Sequence, residues 1–87
     1  MTFLRRFWFR FENSGKPSPL NLGCGVTACD YDDALRILID RVFRENPVPR
    51  IETVIEDVDV STLDQKHVLP NMEAPNERGV WFPRGHK

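Results

Sequence analysis

The chain has 87 residues, enough for one domain and too few for two. Its 40% hydrophobic and 10% aromatic content belongs to chains that close around a core, which excludes a disordered reading. A formal net charge of −1 excludes a global pull towards nucleic acid or an anionic membrane, and no apolar run approaches the roughly 20 residues that a membrane span needs.

Phe3–Glu12 alternates, with Phe7, Phe9 and Phe11 on one side and Trp8, Arg10 and Glu12 on the other. Period-two alternation rich in aromatics predicts a first strand with the Phe side as core. Asn13–Pro19 is made of turn formers and reads as an exposed loop. Leu20–Ala28 reads as a second strand, antiparallel to the first, with Cys24, Val26 and Ala28 on one face. Gly23 and Gly25 inside it point to a bulge or a close approach of another backbone.

A helix over residues 31–44 follows. Asp30 stands as its N-cap with Asp32 and Asp33 in the first turn, and Thr27 is a competing cap three residues earlier. Tyr31, Leu35, Leu38 and Val42 make one face, widened by Ala34, Ile39 and Phe43. Asp32, Arg36, Asp40 and Arg44 make an i, i+4 ion-pair ladder opposite. Asn46-Pro47 ends the helix.

Arg50–Val60 reads as a third strand with Ile51, Thr53 and Ile55 on one side. The apolar parity changes at Val58 and Val60, which predicts a bulge or break near Ile55–Asp57. Ser61–Asp64 has a capping-box pattern, which places a helical turn around residues 62–67. Val68–Arg78 is irregular, Gly79–Pro83 is a short final strand, and residues 84–87 are a tail to a core spanning about 3–83. The fold class is α+β, a small antiparallel β-β-α-β-β sheet with one amphipathic helix on one face.

The stretches Gly25-Val-Thr-Ala28, Tyr31-Asp-Asp-Ala-Leu35, Leu63-Asp64, His67-Val-Leu-Pro-Asn-Met72 and Arg78-Gly-Val-Trp-Phe-Pro83 resemble a family of small uncharacterised bacterial proteins. That resemblance covers most of the chain and implies a bacterial, cytosolic, single-domain protein. It brings no activity, cofactor or partner with it.

The N-terminus is basic but has neither an uninterrupted apolar run nor a small-residue cleavage site, so no secretory signal is expected. Cys24 and Cys29 are then reduced cytosolic thiols acting as small hydrophobes. They match a zinc-type spacing, but His67 and His86 lie far apart, so neither a metal nor any other cofactor is expected. Asp57, Asp59 and Asp64 read as a solvated acidic edge in preference to a hard-cation site. His67 is the one well-placed imidazole, and nothing in the spacing selects a partner among Cys24, Ser61 and Asp64, so the reading leans away from an enzyme.

Charge is uneven along the chain. Residues 1–22 carry a net +3 and residues 45–64 a net −5. Arg5, Arg6, Trp8 and Arg10 put an aromatic among arginines, an arrangement that holds single-stranded nucleic acid by stacking and phosphate contacts. The leading reading is a non-enzymatic protein–protein interaction or regulatory module, with a protein partner or self-association. Its surface would comprise Arg5, Arg6, Trp8, Arg10 and Trp81, on the expectation that one helix leaves a sheet face and a tryptophan open. Nucleic-acid binding through the first strand is the alternative.

Overall fold

The computed structural model describes residues 3–12, 15 and 18–86. Four strands, β1 (Arg5–Phe11), β2 (Cys24–Ala28), β3 (Ile51–Glu56) and β4 (Gly79–Phe82), form one antiparallel sheet in the order β3-β1-β2-β4. The α+β class and the β-β-α-β-β order are as the sequence pattern predicts. The expected loop over residues 13–19 lies largely outside the described residues, as does Lys87 of the expected tail. The rest of that tail is not wholly loose, since the Gly85 N–H donates to Glu73 Oε2 at 3.3 Å.

The helix α1 (Tyr31–Ile37) starts where Asp30 caps it, Asp30 Oδ1 accepting the Asp33 N–H at 2.8 Å. Asp33 reaches back to accept the Cys29 N–H at 3.0 Å, so two otherwise orphaned donors are satisfied across the start of the helix. That settles the cap on Asp30 over Thr27. From Leu38 to Phe43 the helix widens to a π turn. The widening sets residues five apart in line, which carries Phe43 onto the face of Leu38. Phe43 meets Phe11 edge-on at 5.4 Å, and Ile37 joins the buried face while Ile39 is left outside, unlike in the sequence reading. The expected ion-pair ladder does not form, and the wider turn accounts only for its Asp40–Arg44 rung. Asp40 pairs with Arg41 at 3.4 Å, and among the described residues no ion pair joins Asp32 to Arg36.

The helix seals Phe7, Phe9, Phe11, Cys24, Val26, Ala28 and Val80 into the larger core. Each large side chain fully removed from water there contributes about 1.5–3 kcal/mol. The opposite sheet face is covered too, which corrects the expectation of an open face. A second cluster holds Trp8, Val58, Val68, Trp81 and Phe82, with the irregular segment after β3 lying over it. Thr27 Oγ1 and Arg6 Nε both donate to the Pro75 carbonyl, at 2.5 and 3.3 Å, and the Val58 N–H donates to Arg6 O at 3.2 Å. These bonds tie that segment down.

Two bulges decide which side chains go where. Arg10 pairs with Thr53 but Phe11 pairs with Ile51, so Glu52 is the extra residue. Ile51 and Val54 therefore pack on the helix side, and Ile55 is exposed. A bulge thus falls at Glu52, earlier than expected, while the expected break near Ile55–Asp57 is present, β3 ending at Glu56 and the chain leaving the sheet at Asp57 with φ 54°. Gly25 pairs with Phe82 and Val26 with Val80, which makes Trp81 the extra residue and sends both Trp81 and Phe82 into the second core.

Strands β2 and β3 are shorter than expected. A 3-10 turn at Pro19–Asn21 precedes β2, and another at Val60–Thr62 follows β3. Asp59, not Ser61, caps the latter turn, its Oδ1 accepting both the Ser61 N–H at 3.0 Å and the Ser61 hydroxyl at 2.7 Å.

Candidate interaction surface

The five residues singled out in the sequence are divided by the fold. Trp8 and Trp81 stack with ring centroids 5.8 Å apart and are 4% and 1% exposed. The premise of an open tryptophan is corrected: both rings are core, because residues 58–75 cover the face on which they stand. With Trp8 buried, the first strand also lacks the exposed ring on which a base would stack. Arg10 is exposed further along β1.

Arg5 and Arg6 come together at the open end of β1. They border a cleft of about 360 Å³, walled by Asp57, Pro75 and Asn76. Arg5 grips Asp57 with two nitrogens, at 3.1 and 2.6 Å, and reaches Glu56 at 3.5 Å. This contact raises the Arg5 pKa and holds the Asp57 carboxyl below its usual range. Arg6 spends its Nε on the Pro75 carbonyl and in doing so fixes its own direction.

Immediately before these arginines stand Phe3 and Leu4, 76% and 44% exposed. The alternation of Phe3–Glu12 predicts both inside the first strand. They lie outside it because β2 ends at Ala28, the partner of Arg5, and offers them no neighbour. No local pattern announces that ending.

The other chemical candidates are engaged in local structure. Asp64 accepts the Lys66 and His67 N–H groups at 2.8 and 3.0 Å and meets His67 Nδ1 at 3.3 Å. Those bonds hold the Asp64 carboxyl below its usual range. The Asn71 amide clamps the His67 carbonyl at 2.9 Å, so His67 marks a surface turn and its ring stays open to solvent. Cys24 is buried, Cys29 is half-buried, and both are free thiols. Among the described residues no cluster of metal-binding side chains converges, and no helix is long and apolar enough to cross a membrane.

A comparison with protein-family models, with curated proteins and with solved structures finds no match for this chain.

Proposed function

We propose that this chain is a non-enzymatic protein–protein interaction module that engages its partner at the open end of β1. The observation that carries the reading is the exposure of Phe3 and Leu4 directly before Arg5 and Arg6, with Leu4 and both arginines bordering a cleft. Apolar anchors flanked by arginines are the usual chemistry of an interface centre: the apolar groups supply burial, and the arginine forks supply direction. Arg5 and Arg6 are already oriented by Asp57 and Pro75, so little side-chain freedom is lost on docking. The two free thiols fit a reducing, cytosolic setting.

The test compares the tagged protein with its Leu4→Glu variant as bait in extract from the native host, read by quantitative mass spectrometry. Sedimentation of each at high concentration runs alongside. A protein retained in fixed ratio by the parent and lost by the variant, with the melting temperature unchanged, supports the reading. So does a dimer that Leu4→Glu dissociates. A monomer that retains nothing beyond what the variant retains refutes it.

A further inference from the structure

The turn that ends the helix carries a feature that folding alone does not ask for. The Asn46 N–H donates to Phe43 O at 2.8 Å, closing a four-residue turn whose first central residue is Arg44, at φ 54° and ψ −113°. This is the region that a II′ turn uses at that position, and glycine is the residue suited to it. An arginine held there is a local conflict with the backbone, and such conflicts persist where the side chain has other work.

The π turn aims that side chain. The Arg44 N–H donates to Ile39 O at 2.7 Å, so Arg44 stands one wide turn beyond Ile39 on the same exposed face. Ile39, 50% exposed, lies in a groove of about 600 Å³ that Arg36, Arg41, Arg44 and Arg78 border. Arg41 is paired with Asp40 and Arg78 with Asp33. Among the described residues Arg36 and Arg44 take part in no ion pair. The groove therefore offers an apolar seat with two uncommitted guanidinium groups beside it.

We propose that this groove binds an acidic peptide segment of a partner protein, with an apolar side chain on Ile39 and carboxylates on Arg36 and Arg44. Guanidinium forks match carboxylates in shape and charge. Nucleic acid is the poorer fit, because no aromatic ring borders the groove for a base to stack on, and Asp40 and Glu45 stand in its wall against a continuous run of phosphates. The groove shares no residue with the Phe3–Leu4 end and does not depend on it.

Fluorescence anisotropy with a labelled peptide of alternating glutamate and leucine, against a lysine–leucine control, tests this. The Arg44→Gly variant relieves the backbone conflict, so it is expected to melt at the same temperature as the parent or higher. Its dissociation constant for the acidic peptide should rise by about tenfold, the loss of a charge-assisted pair. Ile39→Asp should weaken binding likewise, and added salt should weaken the parent. No binding of the acidic peptide, equal binding of the lysine peptide, or unchanged affinity in Arg44→Gly overturns the proposal. Tighter binding of a single-stranded oligonucleotide, or a self-association that Arg44→Gly abolishes, also overturns it by assigning the groove to a different occupant. Leu4→Glu should leave the peptide affinity unchanged, which separates this site from the one at the end of β1.

Discussion

Arg78 holds Asp33 through two nitrogens, Nε at 3.0 Å and Nη2 at 2.5 Å, and so ties the residue preceding β4 to the first turn of the helix. Forty-five positions separate the two residues, yet the contact sets how the helix meets the far edge of the sheet. Asp33 is buried and Arg78 half-exposed, so the pair is only partly screened by solvent. Breaking it should cost about 1–2 kcal/mol, the lower part of the range for charge-assisted bonds. Asp33→Asn keeps an oxygen for the Cys29 N–H and Arg78 Nε, removes the charge and replaces the oxygen that accepts from Arg78 Nη2 with an amide donor. A double-mutant cycle with Arg78→Gln, read by urea unfolding, should therefore recover most of that energy as coupling.

The same pair makes stability depend on pH. Arg78 first, and then the Cys29 N–H, hold the Asp33 carboxyl well below the ordinary aspartate value of 3.8. As pH falls below 3.8 the unfolded chain takes up this proton before the folded one does. The contribution is therefore complete above that pH and is lost progressively beneath it. Asp57, Asp59 and Asp64 are shifted in the same direction and add to the acid sensitivity. Urea melts at several pH values should show parent and Asp33→Asn converging in acid and parting towards neutrality. A constant gap would mean that the charge is not what Asp33 contributes.

Trp8→Ala should strike the fold before it strikes any association. The ring stacks on Trp81 and lies 5.6 Å from Phe82, so truncation opens a cavity in the smaller of two cores. Losses of about 3–5 kcal/mol are usual for such a change, a large share of the 5–15 kcal/mol that stabilises a typical domain. Trp8→Phe, which retains a ring in place, should cost much less. A melting temperature unmoved by Trp8→Ala would show that the segment over residues 58–75 does not cover this face in solution.

What could be read in advance follows the range of the interaction that decides it. Phe7, Phe9 and Phe11 announce a strand because alternation is written in neighbouring residues. Asp30 and Asp33 announce a helix start because capping spans three positions. The bulge at Glu52 depends on the partner strand and leaves no mark of its own, so alternation alone does not give the parity of β3, whereas the bulge at Trp81 lies opposite Gly25, a glycine that signals it. The π turn likewise follows from fitting Phe43 against Phe11, a contact between distant segments. The misplacement of Trp8 has the same origin: an irregular stretch with several prolines does not look like a lid on a second core, yet it is one. For the surface, the arginines of β1 were legible, whereas the exposure of Phe3 and Leu4 was not.

Gly25→Ala tests the packing of that second core from the other side. Gly25 lies beneath the Trp81 indole, and a β-carbon there would overlap the ring. This is the close approach that a glycine inside a strand indicates, made by a side chain in place of a backbone. The ring is stacked on Trp8 and cannot swing clear, so the substitution should destabilise by about 1–3 kcal/mol, the usual range for overpacking. Thermal melts of Gly25→Ala should fall well below those of the parent, because the β-carbon meets the Trp81 ring. Tryptophan fluorescence should shift as the stack is disturbed.

The two cysteines should differ in reactivity by the depth at which the fold holds them. Cys24 is fully buried on the helix side of β2, and burial pushes its thiol pKa up, so both access and thiolate formation are suppressed. Cys29, in the link between β2 and the helix, is half-buried. Ellman's reagent should therefore modify one thiol of the native protein readily, and the second only as fast as the core opens. Cys29→Ser should remove the fast phase and Cys24→Ala the slow one. Because the slow rate reports opening of the helix–sheet core, Asp33→Asn should accelerate it, whereas Leu4→Glu at the exposed end of β1 should not. Equal rates for the two thiols in the native protein would mean that the helix does not seal β2.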